Sequence, residues 1–203
     1  EEIVLITAHL DSMPSSSTDS PGADDNASGS AAVMLACELF SKYTFERTIR
    51  FVLFTGEEQG LYGSKAYADK VAQAGEKIVV VYNMDMIAWD SVGLPTLRIH
   101  TRTTSNSGYA ADKAIADIFF DIVSTYKLSL TPILDADGIA YSDHSSFWKK
   151  GYPGILAIED DQDDFCKHYH TAKDRLATLN MNYFTQYVKA SIATAAHLAY
   201  LKN

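Results

Sequence analysis

The chain has 203 residues, enough for one domain with a full hydrophobic core. Its 17 Lys and Arg stand against 26 Asp and Glu, a formal charge of −9 that argues against a nucleic-acid partner, because phosphate binding needs clustered cations. No apolar run reaches the roughly 18–20 residues that span a bilayer, so no membrane partner is expected, and two cysteines exclude a disulfide-dense scaffold.

Taken in chain order, Glu1 and Glu2 lead directly into an apolar stretch at 3–7, with no signal-peptide pattern and the look of a trimmed start. The tract 15–17 is a short polar loop. A helix is predicted over 27–43, with Ala31, Leu35 and Leu39 on one stripe and Val33, Cys37 and Phe40 widening it. Cys37 is expected to pack there as a small hydrophobe, while Cys166 lies in a polar loop. Further strand-like runs fall at 48–55, 78–82, 97–101 and 154–158, and further helices at 109–126 and 182–201. The strands are mostly continuous in apolar and β-branched residues, which suits burial on both faces of a sheet. Their alternation with helices predicts an α/β domain with a mostly parallel central sheet.

In open sheets of this kind, ligands bind beyond the carboxyl ends of the strands. Those positions here carry His9 and Asp11, then Asp24-Asp25-Asn26-Ala27-Ser28-Gly29, Glu57-Glu58, Asp85, and His168-Tyr169-His170 followed by Asp174. Two adjacent glutamates at the lip of an apolar sheet repel each other unless a cation compensates. A set of Asp, Glu and His without thiolate suits zinc in a catalytic role, or manganese or cobalt. Two metals sharing a carboxylate would use several of these residues at once. Each piece alone has a plainer reading: Asp24-Asp25-Asn26 as a helix cap, Glu57-Glu58 as surface charge. Their combination at successive strand ends is what carries the argument. Ser142-Asp143-His144 is not a triad, because contiguous residues cannot converge in the required roles. His144 reads as structural, and His100 and His197 have no supporting context.

The series His9-x-Asp11, Asp25-Asn26-Ala27-Ser28-Gly29, Glu57-Glu58, Asp85 and His170 resembles the co-catalytic zinc aminopeptidases of the M28 metallopeptidase family, most of all its bacterial secreted leucine-type members. The resemblance runs from His9 to Asp174. It implies a zinc-exopeptidase-like mixed sheet, mostly parallel, with helices on both faces, in a single catalytic domain over 1–203 that lacks N-terminal elements. It implies two zinc ions, replaceable by manganese or cobalt. Asp25 would bridge them, His9 and Asp85 would complete one site, and Glu58 and His170 the other. A cis peptide at Asp25–Asn26 is implied as well. Glu57 would be the general base for a metal-bridged hydroxide, and Tyr169, preferred over Tyr141, would polarise the scissile carbonyl. Asp11 would accept the ring N–H of His9. Asp174 would orient the His170 segment or cap a helix.

The implied partners are peptides with a free N-terminus, and the implied location is secreted or periplasmic. Carboxypeptidase activity would need a cation for the substrate carboxylate, preferably Arg, yet none of the five Arg lies inside the metal motifs. Glu57 and Asp85 could instead meet a terminal ammonium, with the acidic stretch 159–164 as a negative rim or a solvated loop. Ile139, Tyr141, Phe147, Trp148 and Phe165 could form a slot for a Leu- or Phe-type side chain. The rival readings are a one-zinc glutaminyl-cyclase-like enzyme and a metal-free binding module, and both fit poorly with a complete ligand set.

Overall fold

Unbroken apolar runs dictate where the sheet lies. In the computed structural model, which describes residues 1–15 and 18–202, they form β1 (Glu2–His9), β2 (Thr48–Phe54), β3 (Lys77–Met84), β4 (Thr96–His100), β5 (Thr131–Asp135) and β6 (Gly154–Glu159). Most of the polar tract 15–17 falls outside the described residues. The helices are α1 (Gly29–Phe40), α2 (Tyr62–Gln73), α3 (Tyr109–Thr125), α4 (His144–Trp148) and α5 (Met181–Leu198). The six strands make one sheet in the order β2-β1-β3-β6-β4-β5. Only the β4–β6 pairing is antiparallel, so β4 and β5 run opposite to the other four strands. The architecture is therefore the expected α/β fold with a mostly parallel mixed sheet.

Side chains alternate across β1, and both faces are covered. Val4 and Ile6 pack with Ala32, Val33, Phe119 and Tyr187 of α1, α3 and α5. Ile3 and Leu5 pack on the other face with Ala68 and Val71 of α2 and Phe147 of α4. Burying each such aliphatic side chain contributes about 1.5–3 kcal/mol, and this central strand is fixed most strongly. No helix among the described residues is long and apolar enough to cross a membrane.

The helical stripe of α1 is displaced from the expected one. The buried positions are Gly29, Ser30, Ala32, Val33, Ala36 and Phe40, so Val33 and Phe40 are buried as expected, whereas Ala31, Leu35 and Cys37 are exposed. Small residues let the helix approach β1 closely, and that gain outweighs burying the larger Leu35. Cys166 is buried, and both cysteines are free. The elements α2, α4 and β5 are additions to the sequence reading: α2 has a mostly polar surface, and the other two are short.

A buried ion pair fastens α3 to the sheet. The fully buried Asp112 accepts Nε and Nη2 of Arg102, each at 2.7 Å, and the backbone N–H of Gly154 at 3.0 Å. Asp112→Ala leaves the Arg102 guanidinium buried without its partner, and stability should fall by roughly 3–5 kcal/mol. Urea unfolding checks this, and a loss below about 1 kcal/mol, the range of surface pairs, would show the pair to be dispensable.

Candidate metal centre

The candidate residues arrive from five separate segments at one rim of the sheet. His9 ends β1, Asp85 directly follows β3, and Glu57 and Glu58 lie in the turn after β2. Asp25 sits in an irregular turn, 23–28, that leads into α1, and His170 lies in the loop between β6 and α5. They meet in two groups that share one member: His9, Asp25 and Asp85, and Asp25, Glu58 and His170. Asp25 Oδ1 is 3.2 Å from His9 Nε2, and its Oδ2 is 3.2 Å from His170 Nε2. Asp85 Oδ1 lies 3.1 Å from His9 Nε2, and Glu58 Oε2 lies 2.9 Å from His170 Nε2.

The turn at Asp25 is held from all sides. The Asp25–Asn26 peptide is cis, as the resemblance implies. Asn26 Nδ2 donates to the Met84 carbonyl at 2.9 Å, and its Oδ1 accepts the N–H of Gly29 at 2.9 Å. A Cβ at Gly29 would stand 2.6 Å from the Met84 carbonyl oxygen, so only glycine permits this approach to β3. Ser30 Oγ donates to the His9 carbonyl at 2.7 Å, tying α1 to the end of β1. Asp24 faces away from the histidines: it accepts the N–H of Ala88 at 2.9 Å and shares a hydrogen bond with Glu159. Burial is the main cause that lifts Asp24 to about 6 and Glu159 well above its ordinary value. In the sequence Glu159 reads only as the first residue of the acidic stretch 159–164, because Asp24 is distant in the chain.

Two supporting residues act differently from expectation. His9 Nδ1 contacts the backbone carbonyl of Asp11 at 3.0 Å, whereas the Asp11 carboxylate is 3.7 Å away. That carboxylate instead accepts the N–H groups of Glu57 at 3.3 Å and Glu58 at 3.2 Å, and so fixes the glutamate turn. Asp174 accepts the N–H groups of Asp24 at 2.9 Å and Asp25 at 3.1 Å. It positions the Asp25 turn, neither orienting His170 nor capping a helix. In both cases the sequence shows the carboxylate but not which unpaired backbone amides it will meet.

A further support was hidden in the dismissed Ser142-Asp143-His144 motif. Ser142 Oγ donates to Asp85 Oδ2 at 2.6 Å and accepts from Asn83 Nδ2 at 2.8 Å, while Asn83 Oδ1 accepts from Thr7 Oγ1 at 2.7 Å. This relay occupies one oxygen of Asp85 and leaves the other directed at His9. His144 is buried and structural, its Nε2 donating to the Ile139 carbonyl at 2.9 Å.

Charge in the centre is unbalanced towards the negative. Burial opposes the charged form of His9, but Asp85 and Asp25 outweigh it and hold the imidazole up to about 12. Burial pushes Glu57 up to about 9, with repulsion from Asp85 added. Burial and repulsion from Asp25 bring Glu58 to about 7. Beside burial, neighbouring carboxylates contribute to each of these shifts, and a divalent cation would relieve that part. Glu58 Oε1 and His170 Nε2 are also buried without hydrogen-bond partners. Buried polar atoms of this kind call for a ligand. Tetrahedral zinc with bonds of about 2.0–2.2 Å spaces its ligands roughly 3.3–3.6 Å apart. The observed 2.9–3.2 Å separations need only slight widening. The residues present therefore fit a pair of such ions.

A cleft of about 690 Å³ opens over both groups. Glu57 and Tyr169 line it, and the Tyr169 ring stacks on His170 with centroids 3.6 Å apart. Tyr141 also lines the cleft but is 86% exposed, against 39% for Tyr169. The apolar wall comprises Met86, Ile139, Leu156, Ile158 and Phe165. Phe147 belongs to the core instead, and Trp148 anchors the Gly154 carbonyl through its Nε1–H. The acidic stretch 159–164 is only partly solvated: Glu159 and Asp160 are buried, Asp160 pairs with Arg98, and Gln162 and Asp163 are exposed.

Fold and centre together describe an α/β domain of the peptidase type. The chain belongs to peptidase family M28, whose family model matches residues 1–195. It is 29% identical over 206 residues to a leucine aminopeptidase 1 of Ajellomyces dermatitidis, covering 97% of this chain and 53% of that protein. It superposes on the LapA aminopeptidase of Legionella pneumophila with a TM-score of 0.80 and 27% identity, covering 100% of this chain and 51% of that one. BSAP, a zinc aminopeptidase from Bacillus subtilis, shares the fold at a TM-score of 0.79 and 24% identity, with coverage of 98% and 47%. The chain thus spans about half the length of these relatives.

Ser142→Ala would free Asp85 Oδ2 to rotate away from His9. Zinc affinity of the group containing His9 should fall about 10–100-fold with the fold intact, the usual effect of removing an outer-shell partner. Competition with a chromogenic chelator measures it, and unchanged affinity would remove Ser142 from the account.

Proposed function

We propose that residues 1–203 form the catalytic domain of a two-metal aminopeptidase that removes apolar residues from the N-terminus of peptides. The observation that carries this reading is the single carboxylate of Asp25 set between His9 and His170, each backed by a second carboxylate. His9, Asp25 and Asp85 would hold one zinc, and Asp25, Glu58 and His170 the other, with manganese or cobalt as substitutes. When bound, the ions lower the pKa of water towards neutrality and polarise the substrate carbonyl.

Glu57 is free for proton transfer because it stands outside both ligand groups. In the turn after β2 the two side chains part: Glu58 reaches His170 at 2.9 Å, while Glu57 lines the cleft. As general base, Glu57 takes the proton of the attacking water and returns it to the departing amine. Beside the cations its carboxylate form is favoured. The Tyr169 hydroxyl, which burial and nearby carboxylates keep protonated, donates to the developing oxyanion.

Amino-terminal selectivity follows from the charge around the cleft. Apart from histidines, its one basic lining residue is Lys65, whose Nζ donates to the Gly60 carbonyl at 2.7 Å. Arg98 and Arg102 are held by buried carboxylates. A substrate ammonium is better matched here than a terminal carboxylate. The apolar wall of Met86, Ile139, Leu156, Ile158 and Phe165 would take a Leu- or Phe-type side chain. The peptidase relatives named leucine aminopeptidase agree with this preference.

Glu57→Gln should retain both metals while kcat falls by about 10²–10⁴, the span of a general base. Elemental analysis and turnover of a leucyl chromogenic amide check it together. Lost zinc or undiminished turnover would reverse the roles of Glu57 and Glu58. Peptides blocked at their N-terminus should resist cleavage, and exclusive cleavage of those peptides would make the enzyme a carboxypeptidase.

A further inference from the structure

A third group of metal-ligating side chains lies apart from the two built around Asp25. His100, the last residue of β4, is fully buried, and Asp135, the last residue of β5, is its register partner. His100, Asp135 and Asp161 each place one ligand atom within 4.8 Å of the others. His100 Nε2 is 3.3 Å from Asp161 Oδ1, while its Nδ1 is 3.1 Å from both carboxylate oxygens of Asp137.

Distances separate this group from an ordinary ion network. Charge-assisted N–H···O bonds close to about 2.7–2.9 Å. Arg98, in the same cluster, meets that range in its closest pairs, at 2.6 Å from Asp160 and 2.9 Å from Asp135 Oδ2, with Asp163 at 3.0 Å. His100 does not, and its 3.3 Å separation from Asp161 resembles the 3.2 Å that His9 and His170 keep from Asp25. It falls at the edge length of a tetrahedron of ligands around an ion with bonds of about 2.0–2.2 Å. Asp137 at Nδ1 also reproduces the carboxylate–histidine arrangement that turns the opposite nitrogen towards a metal.

The charge balance points the same way. Asp135, Asp137, Asp160, Asp161 and Asp163 gather around one guanidinium and one imidazole. Arg98 is engaged by Asp160, Asp163 and Oδ2 of Asp135, and lies 3.8 Å from Asp161 Oδ1. Even with His100 protonated, the carboxylates outnumber the cations.

We propose that His100, Asp135 and Asp161 form a further divalent-cation site, separate from the Asp25 centre, with Asp137 orienting His100. One imidazole and two carboxylates without a thiolate select zinc or manganese over calcium or magnesium. Arg98 repels an ion placed beside Asp161, so this site fills after the Asp25 centre and releases its ion first. Asp161 also lines the cleft, so an ion here would brace the wall that faces the substrate side chain.

Zinc stoichiometry after equilibrium dialysis with excess zinc tests the site, using elemental analysis of the parent, His100→Ala and Asp161→Asn. Each variant should retain one zinc fewer than the parent, with circular dichroism verifying its fold. Should His100→Ala fail to fold, the near-isosteric Asp161→Asn decides by itself. Crystals grown with excess zinc should show an anomalous peak at the zinc edge beside His100 Nε2 and Asp161 Oδ1. Equal zinc in the parent and the folded variants, or no peak beside His100, overturns the proposal. Peaks around Asp25 are counted separately. Their absence with the His100 peak present would sink the two-metal reading while leaving this site standing.

Discussion

Asp25 divides its two oxygens between two imidazoles, and the geometry of the centre depends on that division. A carboxylate can serve two partners only if its plane is fixed, since rotation favours one imidazole and abandons the other. The protein fixes it through the backbone. Asp174 accepts the N–H groups of Asp24 and Asp25, and Asn26 donates to the carbonyl of Met84. The close contact at Gly29 then holds the following helix against the end of β3.

The surrounding carboxylates show how such a charge density is tolerated. Burial raises the pKa of both Asp24 and Glu159, which opposes their charged forms. Asp11 and Asp174 spend their charge on backbone amides, and Asp85 gives one oxygen to Ser142. Several buried atoms elsewhere lack hydrogen-bond partners, among them Asp24 Oδ2 and both Asp143 oxygens, and at the cleft so do Glu58 Oε1 and His170 Nε2. Removing competing donors from these atoms while supplying them to the neighbours is what makes the centre receptive to cations.

Much of this was legible in the sequence, for identifiable reasons. Five strands were marked by continuous apolar runs, and the candidate carboxylates and imidazoles by their positions near the ends of those runs, whereas their division into two ligand groups was implied by the family resemblance. What was not legible depended on pairings between distant segments. The α1 stripe was misplaced because close packing against β1 favours Gly29, Ala32 and Ala36 over the larger Leu35. The stretch 159–164 read as a solvated loop because Arg98, its counter-ion, comes more than sixty residues earlier. Ser142 was discounted as a nucleophile, and its bond to Asp85 could not be inferred from a local motif. His100 had no recognisable context until β5 and the loop after β6 brought three aspartates around it.

The position of β2 has a different consequence. It is an edge strand in the described sheet, and its seven residues TIRFVLF carry a single charge, at Arg50. An outer row of unpaired amides on so apolar a strand is a template for growth by addition of a foreign strand. Arg50, tethered to Tyr67 and Glu76, stands midway along that row. It acts as a gatekeeper, because a second copy aligned there would bring like charges together.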